Sequence, residues 1–314
     1  MTMWQEYTET RVPVPGGELA VLHWPAAEDP QSTQRAQITV HAGDSQDAPA
    51  PPVLLVHGIT ANALAWAGVA DEVAGRADLY ALDLRGRAGS RDIAGPWGID
   101  QNAQDIIAVL DALGMERGLL VGHSLGAFVA SRAAAAYPER FTRLIAIDGG
   151  LGFPLPPEAD PDKILEAVVG PAVKKLSMTF PDAETYLDFH RVHPAFVGNW
   201  SAQMTAYLTR DSLARPDGTV VSSCIEAAIR ADGKQVLLDE KIRTAINGLS
   251  CPVDFVYAAR GLLDEPQALY DEQRLDLGGL DRDRARVTFV PDTNHYTVIG
   301  PGAGARAVTE VLLG

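Results

Sequence analysis

Ser124 lies at the centre of the segment Gly-His-Ser-Leu-Gly, residues 122–126, which has the pattern G-x-S-x-G. The apolar run 119–122 ends at this segment, and the alanine-rich run 125–137, which has few turn-forming residues, continues from it. In a sharp turn between a strand and a helix, the backbone segments on either side of the central residue come so close that only glycine leaves room. The pattern therefore predicts a strained turn that lifts Ser124 out as a nucleophile.

A serine hydroxyl attacks a carbonyl only when a base takes its proton and a third group orients that base. Asp264 follows the apolar run 253–258, and His295 follows the apolar run 287–290. The chain order serine, aspartate, histidine is the one expected for a nucleophile on such a turn. We therefore predict a catalytic triad of Ser124, His295 and Asp264.

A second aspartate could also be the acid of the triad. Asp148 ends another apolar run, residues 144–148, and it also lies between Ser124 and His295 along the chain. Asp148 is therefore the alternative to Asp264 as the residue that orients the histidine.

The elements that must position these side chains form a β-α alternation. Short apolar runs separated by helical patterns predict an α/β fold whose predominantly parallel sheet is covered by helices on both faces. A hairpin of two alternating segments, 8–14 and 18–24, is predicted to precede the alternation. The six strand-like runs are residues 53–57, 79–83, 119–122, 144–148, 253–258 and 287–290.

The alternation is interrupted between about residues 150 and 245, where the pattern is helical and rich in aromatic residues. Because ligands of open α/β sheets bind at the carboxyl ends of the strands, a helical insertion there is expected to cover the site as a lid. We predict a core domain formed by residues 1–150 and 246–314, with an inserted cap of residues 151–245. The predicted substrate contacts in the cap are Trp200, His190 and His193.

Composition restricts the partners. The net charge of −15 disfavours nucleic acid and anionic membranes, both of which favour basic surfaces. No apolar run has the roughly 18 residues needed to span a bilayer, and the N-terminus does not resemble a signal peptide. Cys224 and Cys251 are far apart and have no metal-type spacing. We expect a cytoplasmic enzyme that has a small-molecule substrate and needs no metal or cofactor, with a homodimer left open.

Five segments have motifs in common with a known family, namely HGIT (57–60), DLRGRAGS (83–90), GHSLG (122–126), GLLDE (261–265) and NHYTVI (294–299). Together they resemble the α/β hydrolases with a serine nucleophile and a helical cap, and the resemblance covers almost the whole chain. Related sequences usually carry a glycine where this chain has Ala88. The resemblance implies an oxyanion hole formed by the backbone N–H groups of Ile59 and Leu125, and it implies that Asp83 and Arg85 support the neighbouring loop.

The predicted function is cleavage of a small to medium hydrophobic carboxylic ester, thioester or lactone through an acyl-enzyme, as in esterases and lactonases. A C–C bond hydrolase of the meta-cleavage type uses the same triad, and a perhydrolase activity is also compatible. A receptor for small molecules on the same scaffold is the non-enzymatic alternative. Haloalkane dehalogenases and epoxide hydrolases are disfavoured, because they need an aspartate where this chain has Ser124.

Overall fold

The computed structural model describes residues 5–27, 51–154, 160, 163, 166, 170 and 173–314. Eight strands form one sheet in the order β1-β2-β4-β3-β5-β6-β9-β10. The strands from β4 to β10 pair in parallel, whereas β1 and β2 pair antiparallel at one edge. The strands of this sheet are β1 Thr8–Val14, β2 Gly17–Trp24, β3 Val53–Val56, β4 Leu79–Leu82, β5 Gly118–His123, β6 Phe141–Ile147, β9 Val253–Arg260 and β10 Ala285–Asn294. The α/β fold and the initial hairpin are therefore confirmed.

Helices cover both faces of the sheet. The central strands β3, β4 and β5 are buried along their whole length, which explains why their sequences are apolar without alternation. Leu54 belongs to the core shared with α2 and α3, whereas the next residue, Leu55, belongs to the core shared with α1 and α9. The helices outside the insertion are α1 Ala67–Val73, α2 Ile99–Ala112, α3 Leu125–Ala136, α8 Glu272–Leu277 and α9 Ala303–Leu313.

The chain leaves the sheet after β6 and returns to it at β9. The described part of this insertion holds α4 Ala183–Arg191, α5 Ala202–Asp211, a hairpin of β7 Ser212–Ala214 and β8 Val220–Ser222, α6 Glu226–Leu238 and α7 Glu240–Arg243. Hydrogen bonds fasten it to the core near the carboxyl ends of the strands: Ile225 N–H donates to Gly86 O at 2.8 Å, and the side-chain Nδ2 of Asn294 donates to Ala195 O at 2.9 Å. The insertion thus covers the carboxyl ends of the strands, and the boundaries of the cap at residues 151 and 245 stay predictions.

Within the described ranges, the longest apolar helical stretch is too short to cross a bilayer.

Candidate active site

The turn between β5 and α3 carries Ser124. This residue has φ 55° and ψ −122°, a conformation that L-residues rarely adopt. A Cβ atom on Gly122 would lie 2.3 Å from the carbonyl oxygen of Gly126, and one on Gly126 would lie 2.1 Å from the carbonyl oxygen of Val56. Both glycines are therefore sterically required, and the strand–turn–helix geometry is the one that the sequence predicts.

Ser124, His295 and Asp148 form a continuous hydrogen-bonded chain. The Nε2 atom of His295 lies 3.0 Å from Ser124 Oγ, and its Nδ1 atom lies 2.7 Å from Asp148 Oδ2. His295 and Asp148 are buried, whereas Ser124 is partly accessible. With the Nδ1–H donated to the carboxylate, the lone pair on Nε2 faces the serine hydroxyl and can accept its proton.

The prediction that Asp264 orients His295 is wrong for this structure. The carboxylate of Asp264 accepts hydrogen bonds from Arg260 Nε at 2.7 Å and from Asn294 Nδ2 at 2.9 Å. Its side chain is 36% exposed, and the guanidinium of Arg260, followed by the Asn294 amide, lowers the pKa of this carboxyl below its usual value. Asp264 is thus held by an ion pair with Arg260, the last residue of β9, four positions earlier in the chain.

Asp148 reaches the histidine because of the position of β6 in the sheet. This strand lies directly between β5, which carries the serine, and β9. The Ser124 N–H donates to Ile147 O at 2.9 Å, and the Asp148 N–H donates to Val256 O at 2.8 Å. The second carboxylate oxygen of Asp148 accepts a bond from the Ala258 N–H at 3.2 Å. Both neighbouring strands therefore fix Asp148 beside the turn.

The two predicted oxyanion donors lie on either side of the serine. Leu125 is the first residue of α3, where N–H groups lack partners within the helix and the helix dipole favours negative charge. Gly58 packs on Ser124, since a Cβ atom built on Gly58 would lie 3.7 Å from Ser124 Oγ, and Ile59 follows it directly. Across the described ranges, neither the Ile59 N–H nor the Leu125 N–H has a hydrogen-bond acceptor.

His57 orients the peptide group that carries the Ile59 N–H. Its Nε2 atom accepts a hydrogen bond from the Leu84 N–H at 2.9 Å, so Nδ1 carries the proton and donates it to Gly58 O at 2.7 Å. In a trans peptide the N–H points opposite to the C=O, so holding the Gly58 carbonyl aims the N–H of Ile59. Burial lowers the pKa of His57 to about 3, which keeps the imidazole neutral and able to make both bonds.

A second buried histidine supports the catalytic one. The Nε2 atom of His123, in the turn itself, lies 2.7 Å from the carbonyl oxygen of His295. Burial lowers the pKa of His123 well below its usual value, so this histidine is neutral as well. His123 therefore packs within the turn and also forms a hydrogen bond to the backbone of the catalytic histidine.

The loop after β4 is held by buried charges, as the resemblance implies. Asp83 accepts hydrogen bonds from the N–H groups of Ala63 at 2.7 Å and Gly89 at 2.9 Å. Arg85 pairs with Asp105, its Nη2 lying 2.7 Å from Oδ1. Ala88 has φ 38°, a left-handed conformation that explains why glycine is usual at its position.

The three predicted cap contacts lie in different surroundings. The ring of His193 packs edge-on against Tyr296 at 5.9 Å between centroids, and Tyr296 packs against His295 at 5.2 Å. The indole N–H of Trp200 donates to Thr205 at 3.0 Å within the cap. Of these candidates, His193 has the shortest chain of contacts to the triad.

His190 is buried inside the cap. Its Nδ1 atom lies 2.9 Å from the Tyr186 carbonyl oxygen, and its Nε2 atom has no hydrogen-bond partner in the described part of the chain. Burial, reinforced by the positive charge of Lys175, lowers the pKa of His190 to about 4. This histidine is therefore neutral in the native protein near neutral pH.

The buried state of His190 predicts a loss of stability in acid. As the pH falls from about 6.5 towards about 4, the unfolded chain binds a proton at His190 that the native protein does not, so the free energy of unfolding decreases. One such proton contributes a slope of up to about 1.4 kcal/mol per pH unit. We expect His190→Gln to reduce the slope by that amount in urea unfolding measured between about pH 4.5 and 6.

Above about pH 7 both states of His190 are neutral, so the stability difference between native protein and variant should there be independent of pH. An equal slope for variant and native protein in the acid range would contradict the assignment.

The sequence did not single out Tyr296 or Arg87. Tyr296 follows the catalytic histidine directly, and this adjacency is the signal that could have found it. Arg87 is fully buried and donates to the Ile59 carbonyl oxygen at 3.0 Å, a contact across 28 positions of sequence that no local pattern shows. Among the described residues, no group of three or more His, Cys, Asp or Glu side chains is arranged to hold a metal ion.

Comparison with known proteins places this chain in a family. A family model described as "alpha/beta hydrolase fold" matches residues 51–300. N-formylmaleamate deformylase of Pseudomonas putida is 35% identical over 156 residues, which cover 46% of this chain and 58% of the deformylase. The chain thus matches less than two thirds of the length of that relative.

Solved structures show the same fold over nearly the whole chain. E-2-(acetamidomethylene)succinate hydrolase superposes with a TM-score of 0.73 at 21% identity, covering 97% of this chain and 98% of that protein. The thioesterase domain from the curacin biosynthetic pathway superposes with a TM-score of 0.72 at 19% identity, covering 98% of this chain and all of that domain. At these identities the likeness concerns the fold alone.

Proposed function

Because the chain belongs to the α/β-hydrolase fold family, we propose that it is a serine hydrolase in which Ser124 is the nucleophile, His295 the general base and acid, and Asp148 the residue that orients His295. The observation that carries this proposal is the unbroken contact from Ser124 Oγ through both ring nitrogens of His295 to Asp148, at 3.0 and 2.7 Å. A serine hydroxyl on a strained turn, aligned in this way, is suited to nucleophilic acyl transfer.

In the first half-reaction, His295 Nε2 takes the proton of Ser124 as Oγ attacks the carbonyl carbon of the substrate. The carbonyl oxygen becomes an oxyanion, which the N–H groups of Ile59 and Leu125 stabilise. The imidazolium formed at His295 is stabilised by Asp148, and it then donates its proton to the leaving group. The C–O or C–S bond breaks, and an ester between Ser124 and the acyl group remains.

In the second half-reaction, His295 takes a proton from water, and the resulting hydroxide attacks the acyl-enzyme. A second oxyanion forms in the same hole and collapses, so that the carboxylic acid leaves and Ser124 recovers its proton from His295. Atoms and charge balance without a cofactor or a metal ion.

Apolar side chains favour a small to medium hydrophobic acyl group. The side chain of Ile59, half-buried beside the serine, packs against Val173, Cys224 and Ile229 of the cap. Phe196 packs against Tyr296 at 5.1 Å between ring centroids. These contacts support an apolar acyl group, and within that range we propose esters, thioesters and lactones as the substrate class, with His193 as a substrate contact next to Tyr296.

Cleavage of an N-acyl bond is a second candidate. The deformylase relative is named for removing a formyl group from nitrogen, and the same triad can protonate an amine leaving group. A C–C bond hydrolase would also use these residues, with a carbanion as the leaving group.

A substrate panel tests the proposal. Initial rates are measured for nitrophenyl esters of increasing acyl length, a thioester, a simple lactone, an N-formyl amide and a vinylogous diketone, with Ser124→Ala protein as the blank. We expect ester hydrolysis that is absent from the blank and highest for a short or medium acyl chain. No turnover of any acyl substrate by the folded native protein would contradict the proposal. Turnover of the amide or the diketone alone would replace the ester assignment with the corresponding one.

A further inference from the structure

Arg87 is a fully buried cation whose guanidinium joins three parts of the molecule. Its Nε donates to the carbonyl oxygen of Ile59 at 3.0 Å, and its Nη1 donates to the carbonyl oxygen of Arg85 at 2.6 Å. Its Nη2 lies 2.5 Å from Asp232 Oδ2. Burying a charge pair costs free energy unless good geometry and hydrogen bonds compensate. Because every arm of the guanidinium has a partner, we infer that Arg87 is there to hold these partners in position.

Asp232 belongs to the cap. It lies in α6, is fully buried, and accepts a further bond from Asn102 Nδ2 at 3.1 Å. The same helix approaches the loop of Arg87 closely, because a Cβ atom on Gly86 would lie 2.7 Å from Ala228 Cβ. The Arg87–Asp232 pair therefore connects the cap helix to the core directly above the loop after β4.

The other end of this connection is the oxyanion loop. The carbonyl oxygen of Ile59 is held by Arg87, and its side chain packs against Val173, Cys224 and Ile229 of the cap. Its N–H is one of the two oxyanion donors of the proposed mechanism. The position of this one residue is thus set from the cap through both its backbone and its side chain.

We propose that Arg87 is a positioning residue that couples the cap to the oxyanion hole, by fixing the carbonyl of Ile59 while it is itself fixed by Asp232. This inference rests on the proposed function, since it concerns the same acyl-transfer site. Arg87 holds the carbonyl on the far side of Ile59, and His57 holds the Gly58 carbonyl of the peptide group that carries the Ile59 N–H, so with the cap helix seated the backbone is fixed on both sides of Ile59. When the Arg87–Asp232 pair is broken, Ile59 is held from one side only, and its N–H loses its alignment with the developing oxyanion.

A misaligned donor affects the transition state more than the bound substrate, because the oxyanion exists only after attack. Displacement of a group by about 1 Å can lower the rate by about 10²-fold. Loss of the Arg87–Asp232 connection should therefore lower kcat while KM changes little. It should also weaken, by a similar factor, the binding of a trifluoromethyl ketone inhibitor, which forms an oxyanion when the serine adds to it.

The experiment compares Arg87→Lys and Asp232→Asn with Arg85→Lys. Lysine keeps the charge at position 87 but cannot reach three acceptors at once. Arg85 is a matched control, because it lies in the same loop and is equally buried, yet its guanidinium donates to Asp105, Pro15 and Ala94 rather than to Ile59. Measured for each are kcat and KM on the best substrate of the panel, Ki for the trifluoromethyl ketone, and Tm.

We expect kcat to fall about 30- to 100-fold for Arg87→Lys, and less for Asp232→Asn, with a matching rise in Ki and with KM within about threefold of native. Arg85→Lys should lower Tm without this rise in Ki. Should kcat and Ki stay at native values in both folded variants, or change equally in Arg85→Lys, the coupling is overturned. If Arg87→Lys does not fold, kcat and Ki of Asp232→Asn alone test the proposal. Lack of turnover by the native protein would instead reject the proposed function itself.

Discussion

Replacing Ser124 with alanine is expected to lower kcat for ester hydrolysis by about 10⁶-fold, the largest effect of any single substitution in the chain. The hydroxyl oxygen of Ser124 is the only protein atom that bonds to the substrate carbon in the mechanism above. Alanine removes Oγ alone and keeps the backbone turn, so the protein should remain folded with an unchanged or slightly raised Tm.

The same reasoning predicts strong non-additivity. His295→Ala leaves the hydroxyl without the base that lies 3.0 Å from it, so we expect a loss similar to that of Ser124→Ala. The double variant should be no slower than either single variant, since each change alone disables the same step. Rates are compared at saturating substrate, with unfolding followed separately. If the losses of the single variants multiplied in the double variant, the two residues would be acting independently and the triad would be rejected.

Asp148→Asn is expected to lower kcat by about 10⁴-fold. An asparagine amide can present an N–H to His295 Nδ1, which favours the tautomer that carries its proton on Nε2. That tautomer cannot accept the serine proton, and the imidazolium has also lost its counter-charge. The measurement is kcat on the same ester, together with Tm to verify the fold.

The matched control is Asp264→Asn, the same chemical change at the other candidate acid. Because Asp264 pairs with Arg260 and Asn294 on a partly exposed loop, we expect kcat to fall by less than about tenfold. The reverse result, a large loss at Asp264 and a small one at Asp148, would show that the acid works from the loop after β9 and that the observed contact is not the catalytic one.

The nucleophile and the base could be predicted from the sequence, because local patterns define both. The two glycines around Ser124 are needed because the backbone of the turn leaves no room for a Cβ atom, and the whole pattern lies within five residues. His295 directly follows the last strand of the sheet. The order of strands, helices and insertion could also be predicted, since continuous apolar runs define a doubly covered sheet.

The choice between the two acids could not be made in this way. Asp148 and Asp264 both follow a buried strand, and either satisfies the chain order. What separates them is the strand order, which places the end of β6 next to the serine turn, and the Arg260 side chain, which holds Asp264. Both features belong to the tertiary structure and cannot be inferred from the pattern of apolar residues in the sequence.

The substrate contacts of the cap could not be predicted from the sequence for a related reason. Trp200 is of a residue type that often lines pockets, but its indole N–H donates to Thr205. The guanidinium carbon of Arg191 lies over its ring, 5.1 Å from the ring centroid. The role of Arg87 could not be predicted from the sequence, because its partners, Ile59 and Asp232, lie 28 and 145 positions away. Long-range contacts of this kind depend on how the insertion packs on the core.

Covalent labelling by a fluorophosphonate tests the central claim most directly, because this reagent reacts with a serine only when a base has activated it. After labelling and trypsin digestion, mass spectrometry should find the phosphonyl group on the peptide of residues 118–132, at Ser124. Labelling should be lost in Ser124→Ala and strongly slowed in Asp148→Asn, but nearly unchanged in Asp264→Asn. An unlabelled native protein, or a label on another residue, would contradict the assignment of Ser124 as the nucleophile.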